Sequence, residues 1–448
     1  MKTMFTGAGL AVVLLALAGR ASPARAQQPM ASSLAALVAE AEATNPELAA
    51  ARKAAEAAAA RVPQAGALDD PMLSLGVANL PVTDPRLGQD FMTMTMLGIS
   101  ETFPYPGKRG LREAIARAWA ESAQYEAEAI RQKVVAEVKT AYYELYFLER
   151  ALEVTRRNDT LLAGFSRVTS AKYSVGTAAQ PDVLKSQVEQ TRLTDQIVSL
   201  ERRRTTTIAR MNALRARPAA DTLRASRLPE AILRMAVETG EQSRLMFTSA
   251  ALSGAAGGGG IPSVPELERL ALENNPRIRA HVRRIEGLER TRDLAQKARL
   301  PDFRVSIGYA QRSGFRDMVS AAVALPLPVF AGRKQNQQVI EQSAALAEAE
   351  AQHRSMVDRI NADIASLAAE LASARTQIVL LNDGILPQAR ASLASAGAAY
   401  RVGQVDLLAL LDAQVTLYRD ELDHPRLLRD FAVKLAALER AVGKEILQ

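Results

Sequence analysis

The 448-residue chain has no cysteine, three histidines and one tryptophan, and only 4% of its residues are aromatic. Without cysteine there is no disulfide, no thiolate metal site and no lipid-modified N-terminal cysteine. His281, His353 and His424 are scattered and suggest no ligand cluster. Few aromatics and abundant alanine suit long, closely packed helices better than a thick globular core. A strong excess of one charge is also missing. The formal charge is +7, but residues 1–26 carry Lys2, Arg20 and Arg25 and no acid, which leaves the remainder near +4. That balance is too mild and too evenly mixed for a nucleic-acid partner. Beyond the N-terminus no run approaches the twenty or so apolar residues of a membrane-spanning helix, so none is expected. No nucleophile–base set, metal set or phosphate-binding loop is found, so neither an enzyme nor a cofactor is expected.

What is present begins with residues 1–26, which read as a signal peptide. Lys2 supplies the positive start, Gly9 to Ala18 the apolar stretch, and Ala24-Arg25-Ala26 a small-x-small cleavage site before Gln27. The rest is organised around two matching breaks. Tyr173-Ser174-Val175-Gly176, followed by Thr177, recurs 227 residues later as Tyr400-Arg401-Val402-Gly403, followed by Gln404. Eleven residues after each glycine stands a glutamine, Gln187 or Gln414, with Leu184 or Leu411 three before it. Glycine accepts positive φ at little cost and is a natural reversal point in a helical run. Two matching reversals half a chain apart predict a duplicated hairpin of long helices.

Each half repeats the same order. A helix interrupted by Asn45-Pro46 or Asn275-Pro276 runs to about Gln64 or Ala298. Two strand-like segments follow: Leu73, Leu75 and Val77 alternate with Ser74, Gly76 and Ala78, and Phe91 to Thr102 forms the partner. In the second half Phe303, Val305, Ile307 and Tyr309 alternate with Arg304, Ser306, Gly308 and Ala310, with Met318 to Leu325 as partner. Each segment is about ten residues, the length a tilted strand needs to cross a bilayer. Met92, Met94 and Met96 share a strand face, and packing toward lipid is the expectation for them over thioether metal binding. Proline pairs end both second strands, at Phe103-Pro104-Tyr105-Pro106 and Leu325-Pro326-Leu327-Pro328.

The long helices begin after these prolines. The first, without proline from Gly107 to Ala171, would reach about 100 Å at 1.5 Å per residue. Val134, Val138, Ala141, Leu145, Leu148 and Leu152 mark a coiled-coil seam on it. Its return helix covers about Pro181 to Arg215. The second long helix, about Gly332 to Ala399, is expected to bend at Asn382-Asp383-Gly384 and Pro387, and its return helix to kink or restart at Pro425. The domain division is then a signal peptide (1–26), a first repeat (27–216), a linker ending in four glycines (217–263) and a second repeat (264–448).

Four spanning strands cannot close a barrel, since the smallest closed ones have about eight, and an open edge facing lipid is not tolerated. Several copies must pool their strands; three would give twelve. The fold class is therefore mainly α with a small β part: duplicated helical hairpins pooled into an α-barrel tunnel, and four transmembrane strands per protomer contributing to a twelve-stranded barrel. A periplasmic adaptor would have one hairpin and compact β domains, and a plain coiled coil would not need alternating strand pairs.

On the Asn-Pro-x-[Leu/Ile] elements, the duplicated strand pairs, their proline exits and the two Tyr-x-Val-Gly turns, the chain resembles the TolC-like outer-membrane efflux proteins. The resemblance covers essentially the whole chain after the signal peptide. It implies a homotrimeric channel in outer-membrane lipid that works with a periplasmic adaptor and an inner-membrane RND-type pump. It also implies adaptor docking at Val175, Gly176, Thr177, Val402, Gly403 and Gln404, and a periplasmic gate at Asp182, Tyr400, Asp406 and Asp412. Ala409 stands where the family has a further acid, and Val405 where a latch arginine would be. Asp406 is equally explained as a helix-starting carboxylate. Asp70-Pro71-Met72, Asn79-Leu80-Pro81 and Phe103 to Lys108 are similar to the CzcC- and CusC-like heavy-metal branch, with drug efflux or type I protein secretion as the alternative.

Overall fold

The computed structural model describes residues 33–83, 85–87, 90–225, 227–237 and 261–446. The signal-peptide assignment and the four-glycine end of the linker lie outside these residues.

The two Asn-Pro elements explain themselves first. Helices α1 (Leu34–Thr44) and α2 (Pro46–Gly66) meet at Asn45, and α6 (Val264–Asn274) and α7 (Pro276–Lys297) meet at Asn275. Proline at the first helical position removes an N–H that would be unpaired anyway. The asparagine before it does two jobs. Its Oδ1 caps the new helix, accepting from Leu48 N at 3.0 Å in one case and from Arg277 N at 2.9 Å in the other. Its Nδ2 donates to the last turn of a distant helix: Asn45 to Leu214 O at 2.9 Å, Asn275 to Ala441 O at 2.7 Å. Both asparagines are buried. Each thus satisfies orphan groups at one helix start and one helix end, and the pseudo-repeat is held at the same joint in both halves.

Between these joints run the long hairpins. Helix α3 (Lys108–Ser174) returns as α4 (Gln180–Leu214). Helix α8 (Gln335–Leu380), a π turn (Leu381–Ile385) and α9 (Leu386–Arg401) form one continuous run, which returns as α10 (Leu407–Val442). At the place of the expected bend stands the π turn, which takes up Asn382-Asp383-Gly384 and leaves Pro387 in the first turn of α9. The expected restart at Pro425 does not occur: α10 carries that proline inside an unbroken helix, buried against its neighbours. The α3 seam is as read, with Val134, Val138, Ala141, Leu145, Leu148 and Leu152 all buried. On α10, Leu407, Leu410 and Leu411 are buried while Leu408 is exposed.

The first part of the linker is not a loose tether. Helix α5 (Glu230–Val237) and Leu223, Ala225 and Leu228 before it pack into the main core with Val138, Ile364 and Leu435. Tyr142 Oη on α3 donates to Arg227 O at 2.8 Å. Arg204 on α4 reaches Leu223 O at 3.0 Å and Glu149. Leu223, Leu228, Ile232 and Met235 form an apolar set that has a core to join.

One four-stranded antiparallel sheet, in the order β1-β2-β3-β4, joins the halves through β2–β3. Its strands are β1 (Met72–Ala78), β2 (Met94–Phe103), β3 (Phe303–Gln311) and β4 (Met318–Ala324). The register sorts the faces. Leu73 lies across from Ile99 and then Ile307, and Leu75 across from Leu97, Tyr309 and Val319, all on one side. Leu75 is 77% and Val319 74% exposed. The other side carries Ser74, Gly76, Ser100, Ser306, Gly308 and Ser320. Met94 and Met96 fall on this second side, across from Ala78 and Gly76. The expectation that they face lipid is therefore corrected: their alternation is in phase with Gly98 and Ser100, opposite to Leu97 and Ile99.

Candidate functional site

Both Tyr-x-Val-Gly turns close by the same hydrogen bonds. Gly176 has φ of 74° and Gly403 of 77°. Gly176 N donates to Tyr173 O and Thr177 N to Lys172 O; Gly403 N donates to Tyr400 O and Gln404 N to Ala399 O. This 5→2 and 6→1 pair is the Schellman ending, in which a left-handed glycine satisfies the last helical carbonyls. Val175 and Val402 just before the glycines are 72% and 70% exposed, and both turns present their apolar tips outward.

The two turns also sit side by side. Lys172 Nζ donates to Tyr400 O at 2.8 Å and lies 4.2 Å from the centre of the Tyr400 ring. Its charge serves the last turns of both α3 and α9. Tyr400 Oη and Thr169 Oγ1 are 3.2 Å apart. Lys172 and Thr169 were missed by the sequence reading. The available signal was an asymmetry in the repeat, since lysine precedes the first Tyr-x-Val-Gly and Ala399 the second.

The four gate positions do not converge within one protomer. Tyr400 is buried against Leu162, Leu407 and Leu410, and its hydroxyl goes to Thr169, not to Asp182. Asp182 lies in the first turn of α4. Asp406 caps α10, accepting from Ala409 N at 2.9 Å, as a helix-starting carboxylate does. Asp412 is exposed, facing a shallow groove between α9 and α10 lined by Ala389, Ser392, Ala396, Ala409 and Ala413. Farther along, Gln414 Nε2 donates to Asn158 Oδ1 at 2.9 Å inside the hairpin contact. The repeat partners Leu184 and Leu411 part company here, for Leu184 is 53% exposed and Leu411 buried.

At the opposite end of the helices the proline-rich strand exit is clamped. Lys108, 7% exposed, donates to Leu300 O at 2.6 Å and to Asp302 Oδ1 at 2.8 Å. Tyr105 N donates to the same carboxylate oxygen at 2.8 Å. Burial pushes the Asp302 carboxyl up, but Lys108 and the Tyr105 N–H together hold it below its ordinary value. The Phe103 to Lys108 stretch of the first half is thereby fastened to the strand entry of the second. Among the described residues no group of three or more His, Asp or Glu side chains is placed to hold a metal ion.

A chain with duplicated helical hairpins, an apolar-faced sheet at one end and paired glycine turns at the other has the build of an outer-membrane channel. Residues 37–217 and 267–444 match the family described as Outer membrane efflux protein, and the chain belongs to that family. It is 24% identical over 341 residues to the cobalt-zinc-cadmium resistance protein CzcC of Cupriavidus metallidurans, spanning 75% of this chain and 74% of that one. Among solved structures it superposes on the outer-membrane channel OprN with a TM-score of 0.75 at 17% identity, covering 93% and 91% of the two chains. On CusC, described with transmembrane channel formation, the TM-score is 0.73 at 15% identity, covering 93% of each. The protein is an outer-membrane efflux channel component and not an enzyme.

Proposed function

We propose that the chain is the outer-membrane channel of a tripartite efflux system for heavy-metal cations. It assembles as a homotrimer and receives its cargo from an inner-membrane RND-type pump through a periplasmic adaptor. The observation that carries the conduit is the sheet. Among the described residues its edge strands β1 and β4 have no further neighbour, and its large apolar side chains stand uncovered. In a bilayer both features demand that copies join edge to edge, and three copies make the twelve strands of a closed barrel. The helices have the same need. Against the expectation of no helix apolar enough to span a membrane, a stretch within 335–401 has mean hydropathy 1.3, enough by length and composition alone, yet is only 28% buried within the chain. Leu184, Val188 and Val198 of α4 are exposed as well. We read these as surfaces that close on neighbouring copies around a tube. The metal cargo is supported by the likeness to CzcC and by the Asp70 to Met72 and Phe103 to Lys108 stretches. Deleting the gene is expected to raise cellular cobalt, zinc or cadmium several-fold under challenge, with drug tolerance and protein secretion unchanged. Loss of drug tolerance or of secretion, with metal content unaltered, would transfer the chain to the alternative cargo class.

We also assign the two turns, Val175-Gly176-Thr177 and Val402-Gly403-Gln404, to adaptor docking, and Asp412 to the periplasmic mouth. In a trimer three Asp412 carboxylates stand around one axis, and like charges in a confined opening concentrate cations. Asp412→Asn is expected to lower cation-over-anion selectivity severalfold in planar bilayers with trimer yield intact. Unchanged selectivity would return Asp412 to the ordinary solvated surface. Asp406→Asn is expected to act less, because its carboxylate is already engaged in capping α10.

A further inference from the structure

The methionines that the register moves off the lipid side need a role. Met96 lies across from Ala310, and Ala310 across from Met318, so Met96 and Met318 occupy one row of the sheet with only a methyl group between them. Met94 is two residues along on the same face, across from Ala78. Neighbouring strands stand about 4.8 Å apart and same-face residues about 6.8 Å apart along a strand. Three flexible thioethers are thus gathered over Gly76, Ala78 and Ala310, with no bulky side chain to separate them. The place in the chain is also defined. Met94 begins β2 and Met318 begins β4, whereas the far ends of those strands lead into α3 and α8. The cluster therefore lies at the end of the sheet away from the helices.

Core packing does not account for it. Met96 and Met318 are 39% and 50% exposed, and the face they share is otherwise small and polar. Nor is it general methionine usage: the four strands hold fewer than a tenth of the residues but four of the chain's twelve methionines, counting Met72. Among the described residues this face offers no cysteine and no cluster of carboxylates or imidazoles. A donor set made of thioether sulfur alone suits soft monovalent d¹⁰ cations and is a poor match for zinc or cobalt, which take imidazole, carboxylate or thiolate.

We propose that Met94, Met96 and Met318 form a thioether site on the inner face of the barrel, near its outer mouth, for soft monovalent metal cations of the Cu⁺ and Ag⁺ class. This rests on the channel reading above and adds soft monovalent cations to the cargo proposed there. Neutral sulfur donors hold such ions weakly enough to release them, which a conduit requires of any site along its path.

The test uses full-length protein and silver nitrate in chloride-free buffer. Calorimetric titration of the detergent-solubilised assembly is expected to show one Ag⁺ equivalent per chain. The near-isosteric triple variant Met94→Leu, Met96→Leu, Met318→Leu is expected to lose at least tenfold in Ag⁺ affinity while its response to Zn²⁺ does not change. In planar bilayers micromolar Ag⁺ is expected to reduce the potassium current of the wild type and not of the variant. Equal Ag⁺ binding by both proteins, or none by the wild type, overturns the site. A wild-type assembly that conducts potassium but ignores Ag⁺ leaves the channel standing and removes the site. One that binds Ag⁺ through these methionines but forms no pore does the reverse.

Discussion

Gly443→Val is expected to destabilise the protein by about 3 kcal/mol, lowering its melting temperature in detergent by several degrees and cutting the folded yield. Two costs act at once. Gly443 ends α10 with φ of 83°, a backbone region that costs a β-branched residue on the order of 1–3 kcal/mol. A Cβ placed there would also lie 2.6 Å from Asn274 O and 2.7 Å from the Asn275 Cα, which are backbone atoms and cannot swing aside. Relieving that overlap means moving the α6–α7 joint, at a further 1–3 kcal/mol or so. The joint is where Asn275 Nδ2 reaches Ala441 O and Gln132 Nε2 reaches Gly443 O at 2.9 Å, so the shift would loosen bonds that fasten α10 to both α7 and α3. Gly403→Ala is the control. It has nearly the same φ, but a Cβ there meets nothing within 4 Å. Its cost is expected to be about 1 kcal/mol, the backbone term alone. Equal losses from Gly443→Ala and Gly403→Ala would show that the close approach to Asn274 contributes nothing.

The comparison also shows what kind of information the sequence carries. Helix and strand positions were legible because they rest on local rules: Pro46 and Pro276 at first helical positions, glycine at Gly176 and Gly403, period-two alternation from Leu73 to Val77. The Asn-Pro elements were visible as a repeat, but their purpose was not. The partners Leu214 O and Ala441 O lie 169 and 166 residues away, and nothing in the local pattern names a distant carbonyl. Gly443 was silent for the same reason, since its constraint is the α6–α7 backbone beside it. Methionine 94 and 96 show a subtler failure. Their alternation was read correctly, yet a face can be assigned only by phase against Leu97 and Ile99, and that phase was not followed through. The four glycines that end the linker say nothing about Leu223 to Met235, whose apolar residues belong to the core through partners far away in the chain. At the tips, each turn could be read alone. That Lys172 would bridge one to the other, and that Tyr400 would bury its hydroxyl against Thr169, depends on how two hairpins pack 227 residues apart in the chain.

Gly403→Trp is expected to abolish efflux while leaving the assembled channel intact. The argument depends on what the variant shares with Gly403→Ala. Both place a Cβ at φ of 77°, so both carry the same backbone strain of about 1 kcal/mol. At the Cβ neither meets an obstacle, because nothing lies within 4 Å of it. The indole of Gly403→Trp is expected to add its bulk at the exposed tip beside Val402, where an adaptor would approach. The sheet and the buried seams lie elsewhere and keep their contacts, so trimer yield and potassium conductance are expected to match those of Gly403→Ala. Crosslinking to the adaptor is expected to fall at least tenfold, and metal tolerance to drop to that of the deletion strain. The same pair at Gly176, which has φ of 74° and equally open surroundings, is expected to behave alike. If Gly403→Trp and Gly403→Ala crosslink and export equally well, the exposed valine-glycine tips are ordinary helix endings, and the adaptor docks on another surface.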